Sequence, residues 1–439
     1  MSSSGYPSNW RRQSLPAHRN RDPPVSPPSS KPFVSYLIPE HSASLESSLP
    51  PDRRLNEGLS DDCSKALEVP TLGDLDDEDP EIEDCQLIGS YNWTKRPNPT
   101  IIVPGSPPEW TNRPLPFNVQ PDMGIQQIDQ NSYRMPSANL LPLVVAVNQK
   151  YKDEGVSFPW GTMDFVTDRN GLRKLLRWTL GGQVKDFRID TQLAGSKTVL
   201  LNRWERRTRE QFSGRTYGLN FEKASTTPAT GCNETSGHHR IVRYDFNGLK
   251  MVVRFEVDAC MPPPRKPRPS KSEPSVDSLI DSIGNMSLTT TAAPFSSSTM
   301  PALNIINGGS YVPQASIIEL VTCSEYRKES YNWKEAYGQL FLSQTAHHIM
   351  AIHYRGRFTS LEKRKLSSQD LQKVHDEMKP DLKKLRKVLE IIQRTVIEHG
   401  SNGRLSFVCS DGKLSVYQRK SQTACLPDEA MSCFELNRV

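Results

Sequence analysis

Lys250-Met251-Val252-Val253-Arg254-Phe255-Glu256-Val257-Asp258 is an apolar, β-branched run that ends in two carboxylates. Its composition is that of a buried strand. Upstream, Ile241 to Tyr244 has the same character, and Asn247-Gly248 between the two runs is a strong hairpin signal. A strand sends successive side chains to opposite faces, so Glu256 and Asp258 fall on one face. Two carboxylates on one face of an otherwise apolar strand are costly to bury unless something neutralises them. Two more acidic clusters sit in comparable surroundings: Gly218-Leu219-Asn220-Phe221-Glu222 and Glu319-Leu320-Val321. The β-prone runs Tyr217 to Phe221 and Ser316 to Val321 place both on strands. Hard cations such as Mg²⁺ and Mn²⁺ prefer oxygen ligands. Carboxylates gathered from neighbouring strands suit a two-metal site for phosphate chemistry, with ions roughly 3.5–4 Å apart. Taken singly, each cluster reads better as the wet side of a one-sided sheet. Three in succession point to a site.

The bulk composition narrows the field. The chain has 439 residues, enough for one large or two ordinary domains. Hydrophobic content of 35% with 35 prolines predicts that a good part of it builds no core. No apolar run approaches the ~20 residues of a membrane helix, and Met1 to Arg21 lacks the apolar centre of a secretory signal. Eight scattered cysteines without a CxxC pair read as reduced thiols, neither a disulfide framework nor a zinc site. These features predict a protein that is nuclear or cytoplasmic and is not secreted. A net charge of +5 permits nucleic-acid binding without diagnosing it.

Along the chain, residues 1–85 are Ser/Pro-rich and close on the acidic run Asp74 to Asp84, so they read as a disordered tail. Strands are expected at Gln86 to Trp93, Thr100 to Val103 and Val199 to Trp204, and helices at Leu140 to Lys150 and Gly171 to Leu180. In Met261 to Gln314, 23 of 54 residues are Pro, Ser or Thr, which reads as a flexible insertion within one domain. Its Arg265-Lys266-Pro267-Arg268 is a candidate nuclear-import signal. Beyond it, Tyr337 to His348 is expected to be helical and Ile349 to Tyr354 a strand. Ser367 or Ser368 should cap a helix to Lys379, with Pro380 opening another that stops at Gly400. Arg404–Val408 and Lys413–Tyr417 form a hairpin around Asp411-Gly412. The fold class is therefore α+β, a single domain of mixed sheets flanked by helices over residues 86–425, with a C-terminal tail at 426–439.

Five motifs in this order resemble the DXO-type family of RNA 5′-end decapping and pyrophosphohydrolase enzymes. They are Phe165 to Gly171 with Arg169 before a helix, Gly218 to Glu222, Glu256-Val257-Asp258, Glu319-Leu320-Val321, and Gln339-Leu340-Phe341-Leu342. The resemblance implies a metal-site cleft between sheets and Mg or Mn ions, two in number. Glu222, Glu256, Asp258 and Glu319, with the main-chain carbonyl of Leu320, would hold the metals. Glu256, Asp258 and Glu319 would be catalytic, Arg169 would hold a substrate phosphate, and Gln339 would hydrogen-bond the scissile region or a metal-bound water. The implied partners are an RNA 5′ end and a nuclear 5′–3′ exoribonuclease.

The chain departs from that pattern at three positions and in carrying the insertion Met261–Gln314 between two metal motifs that family members keep close. Val321 stands where the family has lysine, Asp168 where it has an aromatic residue, and Asn170 separates Arg169 from Gly171. Losing one cation from a phosphoryl site costs several kcal/mol in the transition state. Either Arg327 or Lys328 substitutes, or the chain is a catalytically impaired relative that binds RNA 5′ ends or an exoribonuclease. Among other candidates, His238-His239 is expected in a polar loop and His347-His348 on a helix, neither suited to a shared metal. The basic stretch Trp204 to Arg209 reads either as a solvated face or as a phosphate-backbone contact.

Overall fold

The computed structural model describes residues 49–71, 73, 77–182, 184–263, 290–292 (backbone only) and 302–435. The import-signal candidate at Arg265 to Arg268 and the first 48 residues of the tail lie outside the described residues.

The Leu249–Val257 strand is the centre of the molecule. It pairs antiparallel with Thr235–Phe246 through the expected hairpin, in which Asn247 and Gly248 both take positive φ. On its other edge it runs parallel to Phe165–Asp168. Because it is flanked on both edges and covered on both faces, its two side-chain sets enter different cores. Met251, Val253, Phe255 and Val257 pack against the helices Arg169–Leu180, Trp333–Ser343 and Gln369–His399. Val252 joins the opposite core, where the helix Leu141–Asp153 covers Ile82–Thr94 and Thr100–Gly105. Arg254 and Glu256 share Val252's face by the alternation of the strand.

Among the described residues the strands form a 12-stranded mixed sheet, a 7-stranded one and a small two-stranded ribbon. The chain crosses from the first large sheet to the second at Asp258, between the strands Leu249–Val257 and Ala259–Cys260. Ala259 then faces Ile318 on the strand Ile317–Ser324, which runs parallel to His347–Tyr354. The fold class is α+β with mixed sheets flanked by helices, as the patterning predicts.

Several sequence expectations need correction. Order begins before residue 86: Leu59–Leu67 pairs with Lys413–Arg419 at one end of the large sheet, and the next strand starts at Ile82. The insertion is shorter than residues 261–314, because Asn304–Gly309 runs parallel to Thr100–Gly105 and buries Leu303, Ile305 and Ile306. Tyr217 to Phe221 is not a strand; Gly218–Ser225 is helical. Asp122 accepts from the first-turn amides of Asn220 (2.9 Å) and Leu219 (3.4 Å), a cap supplied from far along the chain. Gln369–His399 is one helix with Pro380 inside it, since its buried stripe of Leu371, Met378, Leu382, Leu385 and Leu389 continues past the proline. The two histidine pairs both lie in strands, His238-His239 in Thr235–Phe246 and His347-His348 in His347–Tyr354, the latter because a left-handed Gln344 ends the preceding helix early.

Candidate active site

The crossing at Asp258 gathers the acidic residues. Asp258 accepts the Leu320 amide at 2.7 Å, tying the end of one sheet to a strand of the other. Glu319 precedes that amide on the same strand, Glu256 lies one residue before the end of the Leu249–Val257 strand, and the Gly218–Ser225 helix supplies Glu222. The Glu222 carboxyl is pushed up to about 8, first by burial and then by the nearby Glu256 and Glu319. Asp258 is held well above the usual carboxylate range by burial, then by Glu319 and Glu222. Crowding by protein atoms lifts Glu256 to about 7 against the pull of Arg169 and Arg203. Glu256 nevertheless keeps an exposed surface, so solvent reaches it. The four carboxyls share one field.

Arg169 and Gln339 meet this cluster through Glu319. Arg169 donates to one Glu319 oxygen at 3.0 Å and to Ser343 Oγ at 3.3 Å, while the Gln339 amide donates to the other oxygen. Among the described residues no three His, Cys, Asp or Glu side chains are already drawn into a ligating set. The hydrogen bonds explain it: both Glu319 oxygens and one Asp258 oxygen are engaged by donors. The donor set still fits a hard cation, being all oxygen, partly buried, and strained toward protonation by its own crowding.

The departures from the family pattern acquire partners. Asp168 receives a fork of two bonds from Arg254, at 2.6 and 2.9 Å, and makes no cap bond to the helix it precedes. Arg254 also donates to the Asn139 carbonyl at 2.7 Å and the Tyr91 hydroxyl at 3.1 Å. Asp168 therefore anchors the backbone from which Arg169 projects. Val321 packs against Cys323, Met350 and Ile352 in a small apolar cluster. Lys328 cannot stand in for the absent lysine, since it pairs with Glu362 at 2.6 Å on the surface. The second cation whose field reaches Glu256 is Arg203, clamped by Asp129 (3.1 Å) and Glu205 (2.6 Å).

Sequence reasoning missed Gln130 and Gly237. Gln130 donates to Ser236 O at 2.6 Å and approaches Glu256 at 3.4 Å. A Cβ on Gly237 would come within 2.7 Å of Glu256 Oε1 and 2.6 Å of Gln130 Nε2, so only glycine leaves both in place. No local pattern marks either one. His239, opposite Glu256 in the strand register, is buried and stacks on Tyr91 at 5.0 Å; burial holds it neutral.

Two large mixed sheets meeting at an acidic crossing, with helices on the outer faces, define an α+β fold of the Rai1 kind. The Candida albicans Rai1 structure in complex with pU5-Mn²⁺ superposes with a TM-score of 0.51 at 11% identity, covering 84% of this chain and 99% of that one. Scheffersomyces stipitis Rai1 in complex with (3′-NADP)⁺ and calcium ion gives the same figures, a TM-score of 0.51, 11% identity and coverage of 84% and 99%. S. pombe Rai1 gives a TM-score of 0.48 at 14% identity over 79% and 97% of the two chains. The chain belongs to the family described as a domain of unknown function, DUF8563, whose model matches residues 80–434. No curated protein matches it.

Proposed function

We propose that the chain is a divalent-metal-dependent hydrolase of RNA 5′ ends, removing pyrophosphate, a defective cap or another 5′ nucleotide group. The observation that carries the reading is the convergence of Glu222, Glu256, Asp258 and Glu319 at the sheet crossing, each of the first three with its proton affinity raised. Such a cluster gains electrostatically from any cation bound among its carboxylates. Glu222, Glu256, Asp258, Glu319 and the Leu320 carbonyl would hold Mg²⁺ or Mn²⁺, which when bound would supply an activated water and charge neutralisation at phosphate oxygens. The chain's own residues do the rest. Arg169 begins a helix at the cleft, and its planar fork suits a substrate phosphate once it leaves Glu319. Gln339, released from the same carboxylate, can orient the scissile group. Fold likeness to Rai1 supports the reading, and the motif resemblance extends it to a nuclear setting beside a 5′–3′ exoribonuclease.

A second reading has its own support. Val321 offers no cation, and Arg169 and Gln339 are both spent on Glu319. These favour an impaired relative that binds RNA 5′ ends without turning them over. Incubating the purified chain with 5′-triphosphate RNA and Mn²⁺ separates the two. Release of pyrophosphate supports the hydrolase; binding without release supports the impaired relative.

A further inference from the structure

A cavity of about 510 Å³ opens beside the stretch Trp204 to Arg209, and none of the clustered carboxylates lines it. The short helix Gln130–Arg134 separates the two places: Gln130 reaches Glu256, whereas Ser132 and Tyr133 line the cavity. Six arginines line it against three carboxylates. Most of those charges are matched, Arg206 by Asp186 at 3.1 Å and Arg207 by Asp52 at 2.6 Å. Arg419 is not. Its side chain is only 10% exposed, its nearest carboxylate is Asp190 at 3.9 Å, and Asp190 is already gripped twice by Arg188. Arg419 Nε and Nη2 are buried with no hydrogen-bond partner. The lining residues Asn202 and Trp204 also each bury a polar atom, Oδ1 and Nε1, that has none.

A buried guanidinium with two unused donors is expensive unless an acceptor arrives. The cavity already shows what it prefers. The segment Leu49 to Arg53 lies along it, its Asp52 carboxylate taken by Arg207 and its Arg53 guanidinium 4.8 Å over the Trp204 ring. An oxyanion and a flat group beside the indole are thus the chemistry the walls accommodate. We propose that this cavity is a binding site for a small phosphate-bearing ligand of nucleotide size, with Arg419 as its buried anchor. The fork of an arginine suits phosphate, and the volume falls within the range of ordinary ligand sites. This site is independent of the proposed hydrolase activity.

The test is calorimetric titration of the full chain with inorganic pyrophosphate and with AMP. EDTA is present, so that bare carboxylates repel either probe from the crossing. We expect both to bind wild type and Glu256→Gln alike, with Kd at or below roughly 1 mM. Arg419→Met should weaken binding by about tenfold or more, the effect of losing charge-assisted hydrogen bonds. Arg206→Ala/Arg207→Ala, whose side chains are 45% exposed, keeps the fold and should also weaken binding, so it decides the matter if Arg419→Met does not fold. Absence of binding by both probes, or binding unchanged in the arginine variants, overturns the proposal. So does binding of single-stranded RNA alone, with neither small probe taken up.

Discussion

Crowded carboxylates make opposite demands on the folded chain with and without metal. Glu256→Gln and Asp258→Asn should each abolish turnover while leaving the metal-free fold no less stable, because each removes repulsion at nearly constant shape. Mn²⁺ should then raise the melting temperature of wild type far more than that of either variant. The pH dependence has a definite sign. Glu222 goes from an ordinary 4.5 to about 8 on folding, so its carboxyl holds a proton longer in the folded chain. Its contribution is intact below about pH 4.5 and lost as pH climbs toward about 8. Buried His238 and His239, held neutral by burial, act in the opposite sense over part of that window. The comparison must therefore be between wild type and Glu222→Gln. Without metal, wild type should lose melting temperature relative to Glu222→Gln between pH 5 and 8; parallel curves would contradict the shared field. The pairing of Glu256 with Asp258 was legible because strand parity follows from two residues' separation. Gln130 and Gly237 were not, since both act through contacts more than a hundred residues apart in the first case and through a missing Cβ in the second.

The elements divide along the same line. Hairpins with Asn-Gly or Asp-Gly centres could be read directly, because the positive φ values sit in the turn residues themselves, Asn247, Gly248, Asp411 and Gly412. Elements fixed by distant partners could not. The Gly218–Ser225 helix depends on Asp122, and the Asn304–Gly309 strand on a parallel neighbour two hundred residues earlier. That strand reverses an expectation about the insertion. Replacing 262–312 by a short linker should cost substantial stability, since Leu303 and Ile305 fill the core. Ile305→Ala alone should cost about 2–5 kcal/mol in chemical denaturation. A loss under half a kcal/mol would mean that the strand does not pack there. In the Gln369–His399 helix, Pro380 is exposed and lacks the amide its neighbours use. Pro380→Ala should stabilise by about 1–3 kcal/mol, and a destabilisation would indicate a break between two helices.

At the scale of the whole molecule, the two large sheets act as jaws joined at Asp258, and the acidic residues sit where the chain changes sheet. Arg169 stands on a helix whose entry is fixed by the buried Arg254–Asp168 pair. Removing one partner, as in Arg254→Met, should cost about 3–5 kcal/mol by stranding Asp168 and should impair any turnover along with the fold. Motif order across the sequence anticipated this assembly better than any single segment did, because each motif is weak and only their convergence is specific. What local sequence could not express is that Glu319 holds both Arg169 and Gln339. Val321→Lys should raise activity if the absent cation limits the rate. The most direct test of the central claim is turnover of 5′-triphosphate RNA by purified chain with and without Mn²⁺. The account expects metal-dependent release of pyrophosphate that is absent in Glu256→Gln. Absence of both turnover and metal-induced stabilisation in wild type would contradict it.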